Sequence, residues 1–362
     1  FFFSSTATAS LSSLSLHVSL PIWDTSFMEA VAKLKKHKLY PGPVLIILAT
    51  SSTVWATQEA SEQFKGAEMK LESLNFLEVV RHFESLPVAE IVRIYGAIGG
   101  VPAYLDKWDA AKSFKENICR LVLTPSGALY GEADAVISSE LRELSAYSTI
   151  LAAIARGENK LNDIFHATGF SRAKISVYLK NLATFNIVEK VVSFETGGWE
   201  NAKKGVYQIK DTFVNFWFKF VYPNMSNLYL LSPEEFYDTY IEKELDAYLE
   251  RYFREVCTEY LLILNQMGQL PFTIKRVGTW IGKTGRIDIV AQSEDRRSII
   301  GFCNWDKPMM TMDMCENMAM AMDQARLTSD DYYLFSATDF EPALQSYVVR
   351  DPRFKLINMN EL

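Results

Sequence analysis

Apolar residues recur at two spacings along the 362-residue chain, and the changes of spacing divide it into segments. Phe27, Val31 and Leu34 lie near helical spacing in a segment, Phe27 to Lys38, that ends in a cluster of cations. Pro41-Gly42-Pro43 then breaks the chain before VLIILAT, a short continuous apolar run. Helix, break and fully buried strand is the pattern of a unit in a parallel α/β sheet. Thr50, Ser51 and Ser52 close that strand with hydroxyls, where open α/β sheets place their ligand sites. From Leu77 to Tyr130 the pattern is helical with Gly/Pro punctuation, including IYGAIGGVPAYL.

Leu141 to Lys210 is the clearest module. Leu141–Ala155 and Lys160–Ala167 read as helices, the second with Leu161, Ile164 and Phe165 on one face. Gly169-Phe170 makes a turn, Ser171 is a good N-cap, and the next helix buries Ile175, Leu179 and Leu182 at i, i+4, i+7. Val188–Phe194 and Val206–Lys210 read as strands around a Gly-rich tip, Thr196 to Gly205. Three helices followed by a β-hairpin make a winged helix-turn-helix. An aromatic-dense connector, DTFVNFWFKFVYPN, follows, then one long amphipathic helix from Pro233 to Asn265. RIDIVAQS, IIGFCNW, DDYYLFSAT and FKLINM read as strands, with a Met-rich helix from Met312 to Arg326 between the second and third, so the tail is a separate α/β or α+β domain.

Composition narrows the classes. Hydrophobic residues make up 49% of the chain and charged ones 22%, the balance of a protein with substantial cores rather than a disordered or collagen-like one. With 37 Lys+Arg against 44 Asp+Glu the net charge is −7, which argues against a protein that coats polyanions over its whole surface but leaves room for a local basic patch. The longest clean apolar run, Val44 to Ala49, is far short of the ~20 residues of a membrane span, so a soluble protein with no membrane partner is expected. Cys119, Cys257, Cys303 and Cys315 are dispersed without a C-x-x-C pair and the four histidines are equally scattered; a reducing cytoplasm and no structural metal are expected. Phe1 to Ile22 carries seven serines and no Lys, Arg, Asp or Glu, and resembles translated sequencing-adapter read-through at a broken gene end. It is set aside from the fold, and the natural gene is expected to extend upstream.

Four signals bear on chemistry. Gly278–Thr284 (GTWIGKT) is one residue short of the phosphate-cradling G-x-x-x-x-G-K-[ST], and a strand follows where that motif needs a helix N-terminus. The third helix of the winged module would expose Arg172, Lys174, Ser176, Val177, Lys180 and Asn181, and Lys203 and Lys204 add charge at the wing tip. Ser171 to Lys190 holds four Lys/Arg against one Glu, within an acidic protein. Duplex DNA held through its phosphates fits this pattern, and so does a winged helix that docks a protein. Asp288, with a second strand fifteen residues on, is suggestive of a metal-dependent nuclease core, in which carboxylates hold Mg²⁺ and a lysine steadies the phosphate. Phe302 and Asn304 stand where the second acid and the lysine belong, so Asp288 reads as structural. Met314, Met318 and Met322 repeat at i, i+4, i+8, which favours core packing over soft-metal binding.

LIILATSS, IYGAIGGVPAYL, the winged helix, DTFVNFWFKFVYPN, FREVCTEYL, RIDIV and GFCNW occur in that order. Together, from Trp23 to Leu362, they resemble the archaeal-type ATPase family, part of the broad AAA/STAND group, whose C-terminal domain is nuclease-like. The resemblance implies an α/β and α+β multidomain chain: a partial P-loop ATPase core with a helical lid, a winged helix-turn-helix and a C-terminal PD-(D/E)XK nuclease-like α/β domain. By position, after the non-native adapter-derived segment expected at 1–22, it implies the C-terminal remnant of the ATPase core at 23–76, the lid at 77–135, the winged helix at 136–212, an aromatic connector at 213–232 and the nuclease-like domain at 233–362. Ser51 and Ser52 would end the sensor strand facing the γ-phosphate, and Pro102 of Gly99-Gly100-Val101-Pro102 would pack on adenine. Glu255 and Asp288 match acidic positions of the nuclease-like core, while the family's E-C-K-W is here Phe302-Cys303-Asn304-Trp305.

The resulting expectation is a fragment of a cytoplasmic ATP-binding switch that couples nucleotide state to a winged module bound to double-stranded DNA or a protein. ATP and Mg²⁺ belong to the intact parent, and this chain is expected to be inactive as ATPase and nuclease. The alternative is a non-enzymatic DNA-binding regulator with a degenerate nuclease-like domain. Residues 23–362 alone are expected to bind ATP negligibly, and an equilibrium titration giving micromolar affinity would refute this.

Overall fold

The computed structural model describes Glu29, Lys33 and residues 69–138, 141–194, 205–282 and 285–361. The chain divides into two units, Phe1–Lys70 and Leu71–Leu362. In the first, Glu29 and Lys33 form an i,i+4 ion pair of 3.8 Å. Segment 1–22, the strand expected from Val44, Ser51, Ser52, the wing tip with Lys203 and Lys204, and Lys283-Thr284 lie outside the described residues.

The second unit begins with α1 (Phe76–His82) and α2 (Val88–Ile98). Asn75 opens α1 through a reciprocal cap: its side chain accepts the Glu78 N–H, and the Glu78 carboxylate accepts the Asn75 N–H. After one-turn helices at Pro102–Leu105 and Phe114–Ile118 come α3 (Glu132–Ser138), α4 (Leu144–Ala155), α5 (Leu161–Thr168) and α6 (Arg172–Thr184). Strands β1 (Val188–Val192) and β2 (Gly205–Ile209) then pair antiparallel. The expected order of three helices and a hairpin is therefore present.

Residues expected to form a connector are instead the densest part of the core. Thr212–Phe216 is α-helical, Trp217–Val221 forms a π-helical turn, and Phe213, Phe216, Trp217, Phe218 and Phe220 are all fully buried. Such a run cannot cross a surface, because each ring left in water forfeits about 2–3 kcal/mol of transfer free energy. The helix expected from Pro233 to Asn265 is divided at Ile241 into α7 (Pro233–Tyr240) and α8 (Glu242–Gln266). Two different surfaces demand the break: α7 lays Tyr237 against Phe114, while Phe253 of α8 packs on Trp305. One straight helix would carry its apolar stripe past only one of them.

Beyond α8 come β3 (Arg276–Ile281), β4 (Arg286–Gln292), β5 (Ser298–Asn304), β6 (Met309–Met310), α9 (Met312–Ala325), β7 (Asp331–Ser336), β8 (Asp339–Phe340), α10 (Pro342–Arg350) and β9 (Phe354–Asn358). The five-stranded sheet has the order β3-β4-β5-β7-β9, antiparallel from β3 to β5 and parallel from β5 to β9. Its alternation is visible in the two cores: Ile289, Ala291, Ile299, Tyr333 and Phe335 face the first, which includes α8, and Val290, Ile300 and Leu334 face the second. Met318 and Met322 of α9 and Leu344 of α10 complete the second core, with Met314 packed against it. The described chain is thus a mixed α/β fold with helices on both faces of a mixed sheet.

Replacing Phe216 with Ala is expected to lower the unfolding free energy by about 3–5 kcal/mol in urea denaturation, against less than about 0.5 kcal/mol for Tyr229→Ala on the surface.

Candidate functional site

Helix α6 starts where its sequence asks it to. Gly169 ends α5 in the left-handed region (φ 69°), a conformation that costs other L-residues a steric penalty, and the Ser171 hydroxyl accepts the Lys174 N–H at 3.2 Å. Ile175, Tyr178, Leu179 and Leu182 turn inward, which leaves Arg172, Ser176, Val177 and Lys180 as one exposed stripe. The Arg172 guanidinium lies 4.1 Å from the Phe165 ring centre and donates to Asn162 Oδ1, so its head is positioned at the α5–α6 turn. Two of the expected contact residues are held back. The Lys174 ammonium sits 4.3 Å from the Phe170 ring centre and 5.3 Å from that of Tyr178. Asn181 Nδ2 donates to the Tyr147 hydroxyl at 2.8 Å.

The second cluster surrounds Asp288, and a β-bulge aims it. Gly278 pairs with Val290 and Trp280 with Ile287, so one residue of β3, Thr279, faces two of β4, Asp288 and Ile289. Thr279 Oγ1 closes the bulge by donating to the Asp288 carbonyl at 2.9 Å. The strict alternation of β4 is broken there, for Ile287 belongs to the second core and Ile289 to the first. The Asp288 side chain thereby meets α8: Arg254 Nε is 3.7 Å from its Oδ1, Arg286 Nε is 3.4 Å from the same oxygen, and the Cys303 N–H donates to Oδ2 at 3.1 Å. Arg254 also reaches Glu250 at 3.7 Å.

Burial pushes the Asp288 carboxyl above the ordinary carboxylate range, against the pull of the two guanidiniums and the Cys303 N–H. Glu250 is raised by burial and by the nearby charges of Asp306 and Asp288. Arg286 is lowered by burial and by the like charge of Arg254. Cys257 and Cys303 share a side-chain hydrogen bond beside this group, and burial raises both thiols. A metal-dependent phosphodiesterase needs convergent carboxylates left open to a cation. Here guanidiniums stand against the acids, and among the described residues no three His, Cys, Asp or Glu side chains converge to hold a metal.

Glu255, expected beside Asp288, lies on another side of α8, exposed and paired with Arg251 at 2.8 Å. Glu250 takes the place facing Asp288. At about 100° per residue the five-residue offset sets the two roughly 140° apart around the helix, so they do not share a face. Asn304, in the position of a nuclease lysine, is a buried staple: it accepts the Lys307 N–H at 3.2 Å and donates to Ser336 Oγ at 3.1 Å and Thr338 Oγ1 at 3.2 Å. Phe302 packs against the second core. Pro102 is exposed at the first position of its one-turn helix, behind a turn that the Leu74 N–H ties to the Gly100 carbonyl at 2.8 Å. Gly278 to Ile281 of the GTWIGKT string lies in β3, so it does not open a helix. Glu250, Arg254 and Arg286 were missed from sequence. The i, i+4 acid–arginine pair was a usable signal, but nothing local to β4 announces the bulge.

Residues 217–320 match a domain family, DUF234, described as archaeal and bacterial proteins of unknown function. The chain is also similar to the uncharacterized protein MJECL04 of Methanocaldococcus jannaschii, at 30% identity over 268 residues. That alignment covers 72% of this chain and 59% of the archaeal protein, so the chain spans less than two thirds of its relative. Among solved structures, protein VC1899 from Vibrio cholerae is matched over 65% of this chain and 50% of its own at 12% identity, with a TM-score of 0.24 that carries no structural argument. Within the described residues no helix is long and apolar enough to cross a membrane.

Asp288→Ala is expected to destabilise the protein by about 2–4 kcal/mol in urea unfolding, because it leaves two guanidiniums without their buried counter-charge and the Cys303 N–H without its acceptor. Acids gathered for a metal would behave oppositely, since removing one relieves their repulsion in the metal-free protein.

Proposed function

We propose that this chain is the DNA-contacting part of a longer nucleotide-regulated protein, and that it works through a winged helix-turn-helix formed by α4, α5, α6 and the β1–β2 hairpin. The exposed stripe Arg172, Ser176, Val177 and Lys180 carries the reading. It places two cations, one hydroxyl and one small apolar side chain on the third helix, the element that enters the major groove in this class of module. Arg172 and Lys180 would neutralise backbone phosphates, while Ser176 and Val177 are short enough for base edges. Lys174 and Asn181, which face Phe170, Tyr178 and Tyr147, support the helix rather than the duplex.

The C-terminal sheet is read as a nuclease-like domain that has lost its chemistry. Asp288 keeps the strand position of a metal-binding acid, yet Arg254 and Arg286 neutralise it and Asn304 is occupied in backbone and hydroxyl bonds. The triphosphate chemistry of the resembled ATPase family is assigned to the parent protein. Within the described residues Gly278 to Ile281 is strand and opens no helix toward a phosphate.

Fluorescence anisotropy with labelled duplex DNA tests the reading. Binding is expected to weaken as salt rises, and Arg172→Ala with Lys180→Ala should reduce the log–log salt slope by about 1.8, roughly 0.9 per lost phosphate contact. Duplex binding that the double variant leaves unchanged, or no duplex binding at 50 mM salt (about a 14 Å Debye length), would sink it in favour of protein docking.

A further inference from the structure

A cavity of about 350 Å³ lies where the C-terminal end of α4, strand β2, the aromatic segment and α8 meet. We infer that it is a binding site for a small multivalent anion. Its charged lining is Arg156, Lys219, Arg251 and Glu244, three cations against one acid in a protein whose net charge is −7. A region that runs against the charge of the whole molecule and lines a concavity focuses its field on an anionic ligand. The volume falls in the range of small-molecule sites, roughly 300–1,000 Å³. Ile154, Ala155 and Ala247 supply apolar wall between the charges.

The cations differ in readiness. Arg251 is largely buried and already committed, donating from Nε to Glu255 at 2.8 Å and from Nη1 to the Ile209 carbonyl at 2.8 Å. Lys219 holds Glu244 at 2.6 Å, an acid that is itself well exposed and so can yield the ammonium to a stronger anion. Arg156 is exposed at the C-cap of α4 and makes no ion pair among the described residues. The carbonyl end of α4 would repel an anion, but it is largely closed: Arg156, Gly157 and Glu158 donate their N–H groups back to Ala152, Ile154 and Ala153. With Lys219 paired to Glu244 and Arg251 to Glu255, Arg156 is the cation that leaves the lining net positive.

An anion bound here would bridge Arg156, which extends α4, to Lys219 and Arg251. It would tie the three-helix unit to α8 without touching the exposed stripe of α6. The site stands independently of the DNA reading.

Isothermal titration of inorganic pyrophosphate, and separately of citrate, into the full chain at low ionic strength tests it. Saturable one-site binding of pyrophosphate alone assigns a phosphate-bearing ligand, and binding of both assigns a general polyanion. Arg156→Ala should weaken the binding by roughly tenfold, the weight of one charge-assisted hydrogen bond. Glu244→Gln should strengthen it several-fold, because Lys219 is released. Both residues are exposed, so neither variant threatens the fold. No saturable binding of either anion, an Arg156→Ala protein that binds as well as wild type, or a Glu244→Gln protein that binds more weakly would each overturn the inference.

Discussion

Helices α2 and α8 approach so closely at Gly96 that a Cβ there would lie 2.4 Å from Leu249 Cδ2, and the rest of the second unit is arranged around that contact. The Tyr248 hydroxyl donates to the Gly96 carbonyl at 3.0 Å and lies 3.1 Å from the Tyr252 hydroxyl, which accepts from Asn215 Nδ2 at 2.8 Å. One chain of buried polar groups thus joins α2, α8 and the aromatic segment. Burial makes it effective, since a phenol or amide left unpaired in that core would cost about 1–3 kcal/mol. It also sets the register of the aromatic segment, placing Phe216 and Phe220 against the Tyr248 ring at 5.9 and 5.1 Å.

The same helix serves several neighbours, and this is why the sequence reads well in some places and poorly in others. The three helices and hairpin were legible because each signal is local: Ser171 caps, Gly169 turns, and Ile175, Leu179 and Leu182 repeat on one face. The central strands were legible because RIDIVAQS and IIGFCNW are apolar runs of strand length. The side of α8 that faces Asp288 was not, because Leu249, Tyr252, Phe253, Val256 and Cys257 bury more than one side and leave no single stripe to fix its phase. Glu255 and Glu250 are equally plausible from pattern alone, and only the packed helix separates them. The aromatic segment was misjudged for a related reason. A π-helical turn has neither of the two periods on which sequence patterns rest.

Asp288 lies further beyond local reasoning. Its direction depends on the bulge, and the bulge depends on how β3 registers against β4, two strands whose sequences do not refer to each other. Once the carboxylate is turned into the first core, its charge becomes expensive, and Arg254 and Arg286 are the response. An arginine pair is a fitting answer there. A guanidinium is more weakly hydrated than an ammonium and remains charged in surroundings that would lower a lysine. Strand β4 therefore presents a neutralised cluster rather than an acid open to a cation.

The bulged sheet edge is also where the hairpin is anchored. Strand β3 is one of the two edge strands of the sheet, and an open edge of this kind offers unpaired N–H and C=O groups to any other chain. The two residues after β1 cover it: the Phe194 N–H donates to the Thr279 carbonyl at 2.8 Å, and the Ile281 N–H donates to Ser193 Oγ at 2.8 Å. The Phe194 ring enters the second core, under the Arg276 guanidinium at 4.9 Å. At the other end of the hairpin, Arg251 of α8 holds the Ile209 carbonyl. Lifting the hairpin would therefore expose a sheet edge, empty an aromatic site and break a charge-assisted hydrogen bond at once. The three-helix unit and the sheet consequently share one stability, and Thr279, which receives the Phe194 N–H and closes the Asp288 bulge, is where the two meet.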